Sequence, residues 1–153
     1  MKKPLVFLAL LSALTACQDD TKQLLKTIDG NWRIDAVSFG RMAGPDSVTV
    51  GQSASLTFDR CDKSTNQNSP GNCPVVYAVG NQLFRFTYQA TDGRKSLYIA
   101  PTNAASDPTY AAVSRQLAGS YDVISLTETS LIIRRSLQGT LPGYATIQFS
   151  ATK

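Results

Sequence analysis

Three cysteines, eleven carboxylates and no histidine define what chemistry this 153-residue chain can attempt. Without histidine there is no Ser-His-Asp or Cys-His relay and no histidine-ligated zinc. An acid–base enzyme would have to work with carboxylates, for which Asp35, Asp59, Asp107, Asp122 and Glu128 are the candidates. No spacing among them singles out a pair, and exposed acids on strands and turns account for each one. No nucleophile is set beside a base, so the expectation is a protein that binds rather than catalyses. No cofactor motif is present. Arg134-Arg135 is the only adjacent arginine pair, and the other arginines are scattered, which gives nucleic-acid binding no support.

The first cysteine sits in a different context from the other two. Met1-Lys2-Lys3 is a cationic start, and Leu5 to Leu14 (LVFLALLSAL) is an apolar run broken only by Ser12. Leu14-Thr15-Ala16-Cys17 follows. A charge, a short greasy stretch and small residues before a cut are the parts of a secretory signal. The run is too short to span a bilayer as a helix, which takes about 20 apolar residues. The Leu-Thr-Ala-Cys string resembles the lipobox of bacterial lipoproteins. That resemblance implies cleavage between Ala16 and Cys17 and acylation, palmitate included, at Cys17. It gives the organisation as signal 1–16, polar tether 17–23 and one domain over 24–153. Several acyl chains hold a protein on a membrane without a transmembrane helix. Gln18 stands where an aspartate would retain such a protein in the inner membrane, so the expected place is the outer membrane, on its periplasmic or exposed side. Loss of residues 1–16 removes Lys2 and Lys3 and leaves 13 basic and 11 acidic side chains on 137 residues, one domain's worth.

Export also decides the reading of the remaining two cysteines. An even remainder in an oxidising compartment suggests a disulfide, Cys61–Cys73, closing a polar, turn-rich loop. The alternatives, a redox pair or metal ligands, lack a CxxC and a histidine.

The elements that must carry these residues read as a short helix followed by strands. Leu24, Leu25 and Ile28 suit one amphipathic helix over Thr21–Asp29, stopped by Gly30. Alternation then takes over. Trp32, Ile34 and Ala36 fall on one face of 31–39, opposite Arg33 and Asp35. Ala54, Leu56 and Phe58 share a face of 53–59. Val75, Tyr77 and Val79 do so in 74–79, and Phe84, Phe86 and Tyr88 in 82–90. Asp92-Gly93 is a tight-hairpin signal leading to 95–100. Residues 101–109 read as a loop, and 110–117 as either strand or helix. Three strands over 121–127, 131–137 and 144–151 close the series. About eight strands with turn chemistry between them predict an all-β antiparallel barrel or sandwich.

A helix, then Gly30-Asn31-Trp32 opening the first strand, then an antiparallel meander resembles the lipocalins, and in particular the lipocalin-like lipoproteins of Bacteroidetes. The resemblance implies an up-and-down barrel of eight strands over roughly 24–151. Gly30 and Trp32 would close one end, with Arg134 or Arg135 packed over the indole. It marks no ligand-binding residues. Phe58, Phe84, Phe86, Tyr88 and Ile147 are the candidates to face the interior. There they either line a space for a small hydrophobic ligand or fill it. In the second case the partner is an envelope protein, met by loops, by the Cys61–Cys73 excursion or by a strand edge.

Overall fold

The alternation of buried and exposed side chains can be followed residue by residue in a computed structural model, which describes residues 21–50, 53–59, 72–91, 95–102, 107–137 and 140–153. Ala16, Cys17, Cys61 and the Asp92-Gly93 turn lie outside the described residues. Helix α1 covers 21–28, so residues 21–23, expected in the tether, are helical. Nine strands follow among the described residues: β1 (Gly30–Arg41), β2 (Ser47–Val50), β3 (Ala54–Phe58), β4 (Cys73–Val79), β5 (Gln82–Thr91), β6 (Ser96–Pro101), β7 (Gly119–Leu126), β8 (Ser130–Ser136) and β9 (Tyr144–Thr152). Helix α2 (Pro108–Leu117) stands between β6 and β7. All pairings are antiparallel. The order runs β1-β3-β4-β5-β6-β7-β8-β9 and returns to β1, so eight strands close an up-and-down barrel and β2 is an addition to it.

Strand β2 was not legible in the sequence. Its four residues pair with the second half of β1 (Ala36 opposite Val50, Phe39 opposite Ser47), while β3 pairs with the first half. The two short strands are therefore successive partners along one edge of β1. Their polarity explains the miss. Val48 and Val50 face solvent, at 57 % and 74 % exposure, and Thr49, also exposed, borders the space beneath α2. That is the reverse of the usual pattern.

The face assignment for β1 holds only to Ile34. Ile34 pairs with Ala151 and Ala36 with Ser150, so Asp35 is an extra residue, a β-bulge. A one-residue slip exchanges the two faces of a strand. Beyond it Val37, not Ala36, turns into the core. Asp35 is held at the bulge by Arg33 Nε, which donates to its Oδ1 at 3.2 Å, and by the Thr152 hydroxyl at 3.3 Å.

One end of the barrel is sealed by α1. Leu24 and Ile28 are buried, and Trp32 is fully enclosed. Its Nε1–H donates to the Ile28 carbonyl at 2.6 Å, which joins helix to strand. The cation over the indole is Lys153, 4.5 Å from the ring centroid, and not an arginine of β8. Lys153 Nζ also donates to Thr27 O at 2.9 Å. Arg134 is exposed, and Arg135 points inward at the other end, over Tyr121. The reason is distance along β8. Ser130 pairs with Thr152 at the sealed end, whereas Arg135 pairs with Ile147, five residues further from it. Gly30 is required here twice over. Its φ is +118°, and a Cβ would meet Lys153 Cε at 3.2 Å.

Replacing Trp32 by alanine is expected to lower stability by about 3–5 kcal/mol, through lost burial and the emptied space. Lys153→Ala should cost only about 0.5–1 kcal/mol, the worth of one cation over a ring. Urea unfolding of both variants checks the ratio.

Candidate functional site

Above the sealed end the barrel fills with its own side chains. Phe58 and Tyr88 meet edge to face at 5.0 Å, and the Tyr88 hydroxyl donates to Asp59 O at 3.1 Å. Phe86 stacks on Tyr110 of α2 at 5.5 Å, and Phe84 lies 6.3 Å from the same ring. All five residues expected inside are buried. Of these, Ile147 borders the space beneath α2.

That space is a cavity of ≈180 Å³ beneath α2. Val37, Ile147 and Phe149 form its barrel wall, and Val113 and Leu117 of α2 form its roof. Phe39 and Tyr77 complete the apolar lining, and Thr49 and Gln116 are its polar members. Phe149 alternates with Ile147 along β9, and that signal was present in the sequence. Val37 was hidden by the bulge. The α2 residues could not be found without knowing where the helix docks.

Helix α2 is built to start and stop where it does. Asp107 caps its first turn, accepting from Thr109 N–H at 2.8 Å, and Pro108 takes the position where no N–H is needed. Residues 108 and 109, expected in a loop, are thus the helix start. At the other end the barrel supplies the caps. Arg135 Nη2 donates to Arg115 O at 2.7 Å, and the Tyr121 hydroxyl donates to Leu117 O at 2.7 Å. Tyr110 holds the front of the helix, donating to Arg85 O at 2.8 Å and accepting from Thr102 N–H at 3.1 Å. The helix is therefore pinned over the mouth by its first and last turns. Gly119, at φ +142°, ends it, and a Cβ there would lie 2.3 Å from Arg135 Nη1.

Arg135 is 5 % exposed. Its charge faces the C-terminal end of α2, which carries roughly half a negative charge. The single ion pair among the described residues is Arg33–Asp35, so no carboxylate neutralises Arg135 there. Two buried side-chain atoms have no hydrogen-bond partner among the described residues, Arg135 Nε and Ser114 Oγ, and both belong to the docked helix or its cap.

The candidate acids do not gather at this cavity. Asp35 occupies the β1 bulge, Asp107 caps α2, Asp122 is exposed on β7, and Asp59 and Glu128 lie beyond β3 and β7 towards the α1 end. Among the described residues no group of three His, Cys, Asp or Glu could hold a metal. Cys73 is buried at the start of β4.

Comparison with protein-family models, curated proteins and solved structures finds no match for this chain. Fold and site alone define its class. It is a closed eight-stranded antiparallel barrel with one extra strand, sealed by a helix at one end and roofed by a second at the other. The architecture is consistent with a lipocalin-like fold.

Burial pushes the phenols of Tyr88 and Tyr121 far above their ordinary value of 10.0, with Asp29 and Asp59 adding to the effect at Tyr88 and Arg135 opposing it at Tyr121. A phenol that stays protonated when folded loses stability once the unfolded chain can ionise. Stability should hold up to about pH 10, then fall by up to about 1.4 kcal/mol per pH unit for each such tyrosine. Tyr121→Phe should flatten this decline while costing about 1 kcal/mol at neutral pH. Urea midpoints between pH 7 and 11.5 read both.

Proposed function

We propose that this chain is a lipid-anchored envelope protein that binds one small apolar molecule beneath α2, without catalysis. The observation that carries the binding half is the roofed cavity. A space of ≈180 Å³, walled mainly by apolar side chains with Thr49 and Gln116 at its polar part, lies among the large buried side chains of the interior. Packed interiors rarely leave a void larger than a water molecule, and an apolar cavity of about 150 Å³ takes up benzene. The volume suits a single ring or a short branched chain, well below the usual drug-sized pocket.

The anchoring half rests on the signal-like start and the lipobox at Cys17. Three residues, and so four Cα–Cα steps, separate Cys17 from the described start of α1 at Thr21. At most about 14 Å of chain can therefore lie between lipid and helix. Because α1 seals one end of the barrel, an anchor there sets that end against the membrane and turns the α2 end away from it. The acyl groups, the outer-membrane destination and the Cys61–Cys73 bond belong to this same reading. The bond gains support from the buried position of Cys73.

A second reading has its own observation. Val48, Val50 and Leu83 are exposed near the α2 end, and among the described residues β2 pairs with β1 alone. An open strand edge with apolar neighbours is a place where another envelope protein could add a strand.

Two measurements test the first reading. The mass of the native chain should correspond to a start at Cys17 plus acyl groups, and Cys17→Ser should release the protein from membranes. Toluene, benzyl alcohol and indole should each raise the thermal midpoint, by as much as about 2.7 kcal/mol of stability at 100 times Kd. Val113→Trp, which fills the cavity from its roof, should abolish that gain. No stabilisation by any of the three would leave the interaction reading in place.

A further inference from the structure

The space beneath α2 meets solvent beside its polar residues. Among the described residues that line it, Thr49 of β2 and Gln116 in the last turn of α2 are exposed, while Val37, Leu117, Ile147 and Phe149 are buried. The opening therefore lies where the Thr49 and Gln116 side chains stand. The topology accounts for it. β4 ends at Val79, opposite Ala54 of β3, so β2 has no strand on its outer edge among the described residues. The barrel wall is one strand short beside Thr49.

The polar groups of the lining are neutral and unengaged. Neither the Thr49 hydroxyl nor the Gln116 side-chain amide makes a hydrogen bond among the described residues. Half-buried Tyr77 borders the same space, with its ring 6.2 Å from Phe84, and its hydroxyl likewise has no partner among the described residues. Burial raises that phenol above its ordinary value of 10.0, so it stays a neutral donor at pH 7. No lysine, arginine, aspartate or glutamate among the described residues lines the space. A charged ligand would give up part of its water there and meet no opposite charge. An uncharged hydroxyl or amide can exchange bonds with a hydroxyl, an amide and a phenol alike. Apolar walls with a few polar groups at one side are what orient a small ligand.

We infer that the ligand of this cavity is an uncharged molecule with a hydrocarbon body of about one ring and a single hydroxyl or amide head. The body lies against Val113, Leu117, Ile147 and Phe149, and the head is bonded at the opening by Thr49 and Gln116. This rests on the binding reading above and adds the ligand's chemical class and its orientation. The head stays where water also reaches it, so the hydrocarbon alone is desolvated, and that burial supplies most of the affinity. The bonds at the opening supply the choice of head.

The test uses toluene, benzyl alcohol and benzoate, which share one ring and differ in the head. Backbone amide shifts of the intact protein at pH 7 give the three affinities, with Val113 and Ile147 as reporters. Benzoate should bind about tenfold more weakly than benzyl alcohol, because its charge is left unpaired. Thr49→Val and Gln116→Leu keep the size of each side chain at exposed positions. Each should weaken benzyl alcohol about fivefold, the worth of one neutral hydrogen bond, and leave toluene no weaker than before. No loss for benzyl alcohol in either variant, a matching loss for toluene, or benzoate as the tightest binder overturns the neutral-head proposal and leaves the cavity reading standing. Failure of all three compounds to bind overturns the reading and the proposal together.

Discussion

Closure of the barrel depends on one strand holding two sets of partners in register. β1 is twelve residues long, runs against β9 along most of its length, and on its other edge meets β3 and then β2. The bulge at Asp35 makes this possible. Before it, Trp32 and Ile34 point into the sealed end. After it, Val37 and Phe39 point into the mouth. Bulges bend and twist a strand locally, which is what the strand joining first to last must do to close a sheet of eight. Asp35 is fixed by Arg33 and Thr152, so the irregularity is bonded to both strands that it joins.

The two ends of the barrel are finished by different physics. At one end a helix is fastened by burial: Leu24, Ile28 and Trp32 are enclosed, and one short hydrogen bond from the indole fixes the helix to the strand. At the other, α2 is fastened largely by polar contacts from the barrel to its termini, with Tyr110 at its front and Arg135 and Tyr121 at its back. Leu117 is its one fully buried residue. A helix held in that way buries little apolar area and leaves space beneath it. The cavity follows from how the roof is attached, and the unbonded Arg135 Nε follows from capping a helix with a side chain that has more donors than the helix has free carbonyls within reach.

Much of the frame was legible in the chain. Alternation in 53–59, 74–79 and 82–90 put Leu56, Val75, Phe84, Phe86 and Tyr88 inside, and the strands bury them there. Gly30 and Trp32 were read as closing one end, and Trp32 is enclosed there, bonded to Ile28 of α1. The partner of the indole was misplaced, because a cation over a ring is a contact between positions 121 residues apart and strand register decides which cation arrives. β2 escaped notice because four residues with their valines facing outward carry no inward pattern. The split reading of 110–117 was resolved by docking, although Asp107-Pro108 is itself a helix-start signal.

What the chain alone determined is what local chemistry can determine. The absence of histidine removes whole classes of catalysis, period-two hydrophobicity makes strands, and glycine and proline end them. The signal-like start and Cys17 are equally local, since they are read as a linear string. Tertiary structure decided everything that needs two distant segments at once. It set the register that carries Arg135 to the mouth and Lys153 to Trp32, the bulge that exchanges the faces of β1, and the docking of α2 that leaves a cavity. The physical reason is that burial and hydrogen bonding act between surfaces, and which surfaces meet is a property of the closed sheet rather than of any stretch of sequence.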